Sequence, residues 1–440
     1  MTLLERFKAH VASLELGGGR VLVAVSGGPD SLVLLDLLVQ SQAQHGLELV
    51  VAHLDHGINP ESGRVAERVR SLAASYHLPV ELEHLSLGPT ASETVARERR
   101  YRWLESTRTR IGARFVFTAH HADDQVETVL MRVLAGSGPA GLSGMAPRQG
   151  TLVRPLLPFR RLELEEHLQS SGLLPWVDPA NSDPRHLRSW IRTELLPALR
   201  ARLPEAESNL ERLARQAAAD RAAWDAVLDT LPGLDLRREP DGISVAASPL
   251  GDYDSALIQA TILALARRVG CPLGPARASR VLSLLCGGSS GNRVPLGEHW
   301  TAELTFGRLR MSRVADDQPF PPWSLAGLQG AGVWGRWQFR WEKATAPERQ
   351  DRTGWTAWFL LDDIMVRAWA PGDKLKPLGG SGRRLVVRCF QEARVPRSSR
   401  GSWPVLAHSG EILWVPGVCR SDARVPAGGV EALRVDAQYA

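Results

Sequence analysis

The residues best placed for chemistry start at Ser26. Ser26, Gly27 and Gly28, followed by Pro29, Asp30 and Ser31, lie between an apolar run, Val21 to Val25, and the leucines Leu32, Leu34, Leu35 and Leu38. The run has the length and continuity of a strand covered on both faces, and the leucines recur at helical spacing. Two glycines let the backbone turn sharply and approach a ligand, and Pro29 suits a first helical turn. Unpaired N–H groups at such a helix start, together with its dipole, favour a phosphate. No lysine follows the glycines, so the stretch is not the G-x-x-x-x-G-K-[ST] phosphate loop. Asp30 beside a polyphosphate suits magnesium binding or orientation of the leaving group; stabilisation of the helix dipole is the alternative.

Two further clusters accompany it. Asp124 and Glu127, in HHADDQVET (His120 to Thr128), stand three residues apart and share a helix face. Two carboxylates there could bind a metal, or hold an ammonium substrate and take its proton, and acids in a first helical turn also arise for dipole reasons alone. Arg97 and Tyr101 share a face of the Glu93 to Leu104 stretch, where a salt-bridged amphipathic helix is the plainer reading.

The elements that must position these groups read as an α/β fold. Residues 1 to about 160 alternate strands (Val21–Val25, Leu47–Ala52, Val80–Leu85, Phe115–Ala119) with helices from about Glu61, over Glu93–Arg110 and over Asp123–Leu134. This predicts a doubly wound parallel sheet, Rossmann-like, with ligands beyond the carboxyl ends of its strands. SGGPDS, HLDHG (His53 to Gly57) and HHADD then gather at one rim, with His53, Asp55 and His56 beside the nucleotide. The chain divides into an N-terminal catalytic domain over 1–205, a mainly helical middle domain over 206–320 and a small, mostly β C-terminal domain over 331–440. Trp300 to Met311 alternates as one strand would.

Composition narrows the partners. With 440 residues, 44% hydrophobic and 23% charged, this is the composition of a multidomain globular protein. No apolar run approaches the roughly 20 residues a membrane span needs, and MTLLERFKAH has no signal-peptide core, so the expectation is cytoplasmic. The 4 cysteines form no C-x-x-C pair, so neither disulfides nor a metal cluster is expected. Nine Lys and Arg against two acids between Arg367 and Arg400 make a local +7, larger than the +5 of the whole chain. The basic surface is therefore concentrated late in the chain, as for a nucleic-acid backbone.

The form S-G-G-x-D-S resembles the pyrophosphate loop of the ATP pyrophosphatases, and the chain as a whole resembles the tRNA(Ile)-lysidine synthase family within them. VAVSGGPDS, HLDHG, E-x-x-A-R-x-x-R-Y (Glu93 to Tyr101), TAHHADDQVET, GSGPAGLSGM (Gly136 to Met145) and the Asp178 to Leu199 region carry the resemblance. RAWAPGDKLKP (Arg367 to Pro377), VPRSSR (Val395 to Arg400) and ILWVPG (Ile412 to Gly417) extend it to the last domain. Ser189 departs from the asparagine usual after Arg188.

The resemblance implies an AMP-forming carbon–nitrogen ligase. ATP adenylates the C2 carbonyl oxygen of the wobble cytidine in a CAU-anticodon tRNA(Ile), and the ε-amine of L-lysine then displaces AMP. It implies Ser26, Gly27, Gly28, Pro29, Asp30 and Ser31 on ATP, with Mg2+ at Asp30. Asp124 and Glu127 would serve lysine or metal, and Arg97 with Arg192 the tRNA or activated phosphate. Arg188, Lys374, Lys376, Arg383, Arg384, Arg388, Arg397 and Arg400 would meet tRNA. A homodimer is compatible with this reading. A tRNA thiolase would call for C-x-x-C pairs, a small-molecule synthetase would not need the basic terminal domain, and a non-catalytic RNA-binding protein would not need an intact loop.

Overall fold

The computed structural model describes residues 1–55, 57, 62–85, 93–176, 187–231, 233–314, 320–360 and 363–439. They fall into two compact units, 1–222 and 223–440. His56 and the Asp178 to Asn181 motif lie outside the described residues.

The first unit runs α1 (Leu3–Ser13), β1 (Gly19–Ala24), α2 (Pro29–His45), β2 (Leu47–Asp55), α3 (Ser62–Ser75), β3 (Val80–His84), α4 (Glu93–Arg110), β4 (Phe115–Phe117) and α5 (Ala122–Leu134). There follow α6 (Pro139–Leu142), the short strands β5 (Arg148–Gln149) and β6 (Leu152–Val153), and α7 (Arg161–Ser171). Next come α8 (Leu187–Trp190), a π-helical turn (Ile191–Leu195), α9 (Leu196–Arg202) and α10 (Ala206–Val227), which crosses the division between units.

The strand order is β3-β2-β1-β4-β6-β5, parallel except for β5. Chain order reverses between β1 and β4, which makes their carboxyl ends the crevice where such sheets bind ligands. β1 is apolar on both faces because both are covered: Val21 and Val23 join the cluster containing Leu34, Leu35, Leu37 and Leu38 of α2, while Leu22 packs with Leu104 and Val116. Each buried leucine contributes about 1.5–3 kcal/mol over an exposed one. The tight coil between β1 and α2 is thus anchored on both sides.

The π-helical turn has a local cause. Pro197 has no N–H and its ring would crowd the carbonyl one turn earlier; the wider turn, in which Leu196 N–H reaches Ile191 O, relieves that crowding. Arg188 and Arg192 stay four residues apart on one helical face.

The second unit opens with β7 (Arg237–Glu239), β8 (Gly242–Ala246), α11 (Ser248–Gly251), α12 (Ser255–Arg268), α13 (Pro275–Gly287), β9 (Arg293–Gly297), β10 (Trp300–Thr305) and β11 (Arg308–Arg313). The helical segment expected here therefore also carries a five-stranded antiparallel sheet, β7-β8-β11-β10-β9. The Trp300 to Met311 stretch is a hairpin rather than one strand. Thr305 pairs with Arg308, and Phe306 (φ 47°) and Gly307 (φ 74°) supply the two positive φ angles of a tight hairpin turn.

The terminal segment comprises β12 (Trp323–Leu325), β13 (Gly330–Trp334), β14 (Trp337–Thr345), β15 (Thr356–Phe359), β16 (Ile364–Ala368), β17 (Lys374–Leu375), β18 (Arg384–Leu385), α14 (Val386–Glu392), α15 (Arg397–Arg400), β19 (Pro404–His408), β20 (Glu411–Val415), β21 (Cys419–Arg420) and β22 (Glu431–Tyr439). Its main sheets, β12-β16-β19-β20-β21 and β13-β14-β22-β15, enclose a core of Trp334, Trp337, Phe339, Trp341, Phe359 and Trp414. The mostly β expectation holds.

Candidate active site

The Gly-rich turn sits at the end of β1. Gly27 has φ 85°, and a Cβ there would meet Val65 Cγ1 at 2.6 Å, so a side chain is excluded by both conformation and space. Gly28 is the N-cap of α2 and provides no side-chain acceptor, so the first N–H groups of that helix remain available to an anion. Ser31 Oγ donates to Gly28 O at 2.8 Å, and the Trp176 N–H donates to Gly27 O at 2.9 Å. Both bonds fix the turn without occupying its amides. Ser26 Oγ lies 3.3 Å from Ser31 Oγ and accepts from Gly28 N–H at 3.4 Å.

From the end of β2, His53 is buried and donates from Nδ1 to Val25 O at 2.8 Å. Burial holds its pKa below the ordinary value despite the opposing pull of that bond and of Asp55, so the ring is neutral, and its buried Nε2 has no hydrogen-bond partner among the described residues. Asp55 accepts from Gly57 N–H at 2.8 Å and lies 3.0 Å from His84 Nδ1, pinning the ends of β2 and β3.

From the end of β4 comes the charged centre. Asp124 Oδ2 accepts from His121 N–H at 3.1 Å at the start of α5, while its Oδ1 accepts from Arg188 Nη2 at 2.9 Å and Arg192 Nη2 at 3.3 Å. Glu127, 1% exposed, accepts from Arg188 Nε at 2.7 Å, Arg192 Nε at 2.5 Å and Arg192 Nη2 at 3.0 Å. Asp123 has a different task, accepting from Arg161 N–H at 2.8 Å at the start of α7.

The structure therefore brings Asp124, Glu127, Arg188 and Arg192 into one cluster. Both carboxylates are paired with guanidinium groups, partners that their sequence spacing alone did not reveal. Arg188, expected on tRNA, is turned inward onto this pair.

His121 joins the acids and has no role in the sequence expectations. It is buried, with Nε2 3.6 Å from Asp30 Oδ2 and 3.5 Å from Asp124 Oδ2, and Nδ1 3.6 Å from Asp123 Oδ2. Burial alone would lower its pKa; the surrounding carboxylates of Asp123, Asp30 and Asp124 outweigh burial and raise it to about 10. Asp30, Asp123, Asp124 and Glu127 thus face His121, Arg188 and Arg192, and Arg200 reaches Asp123 at 3.9 Å, so four carboxylates meet four cations. His120 next to it is the opposite case. Burial, opposed by Asp124 but aided by the charges of Arg154, Arg188 and Arg97, lowers its pKa to about 4, and the ring is neutral. The pair of histidines was a visible signal whose division of labour depends on neighbours distant in sequence.

Arg97 is exposed, with its guanidinium 5.1 Å from the Tyr101 ring centroid. GSGPAGLSGM is held from α5: Gln125 exchanges two hydrogen bonds with Met145, at 2.7 and 3.0 Å, and Arg132 Nη1 donates to Gly141 O and Gly144 O at 2.5 and 2.9 Å. The same helix thus carries the acids and, through Gln125 and Arg132, holds this loop. Neither Gln125 nor Arg132 stands out in sequence, since each bonds to backbone carbonyls or amides of a later loop.

The basic terminal stretch separates into two groups. Lys374, Arg383, Arg388 and Arg397 are exposed and make no ion pair among the described residues. Lys376 pairs with Asp422 at 2.6 Å and Arg384 with Glu392 at 2.8 Å, while Arg400 donates to Val395 O at 2.9 and 3.1 Å. In VPRSSR, the N–H groups of Arg397 and Ser398 donate to Glu303, as does Ser398 Oγ at 2.5 Å.

No helix among the described residues is long and apolar enough to cross a membrane. A PP-loop domain family matches residues 2–199, and a TilS substrate C-terminal domain family matches residues 364–436. The tRNA(Ile)-lysidine synthase of Geobacter sulfurreducens is 35% identical over 93% of this chain and 91% of its own. That of Symbiobacterium thermophilum is 32% identical over 99% and 98%, and that of Alkalilimnicola ehrlichii 33% identical over 93% and 92%. With identity of this level spread along nearly the whole of both chains, and with the uncapped Gly-rich turn and the acid–arginine cluster meeting at one sheet rim, this chain belongs to the tRNA(Ile)-lysidine synthase family.

Proposed function

We propose that the protein ligates L-lysine to C2 of the wobble cytidine of a CAU-anticodon tRNA(Ile), changing its codon reading from AUG to AUA and its identity from methionine to isoleucine. The observation that carries this reading is the meeting of an uncapped, Gly-rich helix start with four carboxylates at the β1/β4 crevice. In the first step the cytidine O2 attacks the α-phosphorus of ATP, the α–β anhydride bond breaks, and pyrophosphate leaves against the amides that follow Ser26, Gly27 and Gly28. In the second, the neutral ε-amine of lysine attacks C2, the C2–O bond breaks, and AMP departs with the oxygen.

An attacking amine must lose its proton, and a carboxylate of the cluster can take it. Arg192, whose side chain is 34% exposed, is the partner with room to turn from Glu127 to the α-phosphate, leaving Glu127 for the lysine ammonium. Arg188 keeps Asp124 in place. His53, with its free Nε2, and Asp55 flank the adenosine side, and Arg97 flanks the tRNA. Magnesium commonly binds one or two carboxylates plus substrate phosphates, and Asp30, 32% exposed at the first turn of α2, fits that demand without a protein cage. Bound there, the ion would neutralise the polyphosphate.

Within this reading 1–205 is the catalytic domain, and 206–320 and 331–440 hold tRNA; the substrates place the enzyme in the cytoplasm. The test combines the protein, ATP, labelled lysine and a CAU-anticodon transcript. Label entering tRNA with AMP release is expected. AMP formed equally well without tRNA or lysine would replace this reading with a small-molecule synthetase. Sedimentation of the same sample would reveal a homodimer.

A further inference from the structure

The second unit contains a groove that the chemistry above does not use. A cavity of about 410 Å³ lies between the β7–β8 and β10–β11 turns and the tryptophan-rich terminal segment. Its terminal wall is aromatic: Trp337, Trp355, Trp403 and Tyr439 line it. Trp355 stacks on Trp337 with ring centroids 5.9 Å apart and an interplanar angle of 28°, yet remains 49% exposed. Trp337 is buried beneath it, so Trp355 is a supported ring with uncovered surface. Phe306, 36% exposed, and Arg308 come from the facing hairpin.

A second cavity of about 500 Å³ shares Glu239, Pro240, Asp241 and Tyr439 with the first, so the two are chambers of one groove. Charge distinguishes it from an ordinary seam between packed segments. Arg310 is neutralised by Glu239 and Asp241, and Arg237 and Arg308 share Asp235. Arg238, Arg313 and Arg336 around the second chamber, and Arg394 beside the first, make no ion pair among the described residues. Arg313 instead lies 5.3 Å from the ring centroid of Trp300, whose buried Nε1 has no hydrogen-bond partner among the described residues. Four uncompensated guanidinium groups therefore border exposed aromatic surface.

Aromatic platforms bordered by arginines match unpaired nucleotides: bases stack on the rings while phosphates meet the cations. A regular duplex keeps its bases stacked on one another and offers none to such rings. We infer that this groove binds one or two unpaired nucleotides of the tRNA, with a base on Trp355 and the flanking phosphates on Arg394 and Arg336. The inference rests on the tRNA reading above and adds a site remote in sequence from the ATP loop.

The test is base-specific chemical probing of the bound CAU-anticodon tRNA, with affinities measured alongside. With the wild-type protein one or two unpaired bases outside the anticodon are protected. Trp355→Ala loses that protection and binds tRNA about tenfold more weakly, Trp355→Phe keeps both, and Arg394→Ala weakens binding with a smaller salt dependence. Lysine incorporation at saturating tRNA stays near wild type for Trp355→Ala, with KM for tRNA raised. Thermal unfolding separates lost folding from lost contact; if Trp355→Ala unfolds, Trp355→Leu keeps the apolar bulk without the ring and should lose the protection in its place.

Unchanged affinity and protection in a folded Trp355→Ala, while charge reversal at Arg383 and Arg384 still weakens tRNA binding, would overturn the groove and leave the tRNA reading standing. If wild-type protein binds no tRNA, that reading fails first. Displacement of tRNA by an acidic peptide, with no base protected, would assign the groove to a protein partner and equally overturn the inference.

Discussion

Two carboxylate–arginine clusters built from the same side chains do different work. At the rim of the first unit, Asp124 and Glu127 meet Arg188 and Arg192, whose side chains keep 28% and 34% of their exposure. In the second unit, Arg310 is 5% exposed and all its donor nitrogens are satisfied: Nε by Glu239, Nη1 by Ser312 and Ser398 at 3.1 and 2.7 Å, and Nη2 by Asp241 at 2.6 Å. Ser398 passes the chain of bonds on to Glu303, which is 1% exposed and paired across the hairpin with Arg310. The second cluster is closed. The first has a cationic histidine and guanidinium groups that reach solvent, so it can exchange partners. Openness to solvent marks the site; the presence of ion pairs does not.

Breaking the closed cluster carries the largest expected cost. Arg310→Met removes the cation and leaves Glu239 and Asp241 without it, and loss of one partner of a buried pair typically costs about 3–5 kcal/mol. Denaturant unfolding should show that loss in the second unit, while ATP binding by the first persists. Adding Glu239→Gln and Asp241→Asn should restore part of it, because the unpaired charges are then gone. An Arg310→Met protein as stable as wild type would remove the distinction between the clusters.

At the rim the expected loss is chemical. Glu127→Gln preserves shape and removes the charge that balances Arg188 and Arg192 and accepts the amine. Lysine transfer should fall about 10²- to 10³-fold, in the range of a lost acid–base group. If Glu127 serves the second step, label from the α-phosphate of ATP should accumulate on tRNA while lysine incorporation stalls. Wild-type lysine incorporation by both Glu127→Gln and Asp124→Asn would end the assignment.

How far the sequence could reach differs between the same two places. The strand, turn and helix around Ser26 were legible because local rules suffice: an apolar run, two glycines, a proline at N1. The Glu93–Arg110 helix was legible to the residue, and the shared face of Asp124 and Glu127 follows from their spacing. What pairs with those acids was not legible, since Arg188 and Arg192 arrive from more than 60 residues away and pairing is set by the tertiary fold. The middle sheet escaped for a related reason. Its strands have 3 to 6 residues, and β11 buries Arg310 on one face and Leu309 and Met311 on the other, so hydrophobic alternation under-reports it. The local +7 was a sum that the fold divides between structural and free charges.

That division supplies the smallest effect and completes the gradient. Arg384 and Glu392 form a pair 2.8 Å apart whose side chains are 48% and 57% exposed. Water screens such a pair, and exposed ion pairs contribute about 0–1 kcal/mol. Arg384→Ala should therefore leave the unfolding midpoint almost where it was, in contrast to Arg310→Met. If the exposed face meets the tRNA backbone, binding should weaken a few-fold, and the slope of log affinity against log salt should shallow by about 1, the share of a single phosphate contact. An unchanged slope would assign Arg384 to the solvated surface and shift the backbone contacts to Lys374, Arg383 and Arg388, which have no carboxylate partner among the described residues to give up. A large stability loss would show that exposure fails to rank these ion pairs, and the contrast between the closed cluster and the open one would need another cause.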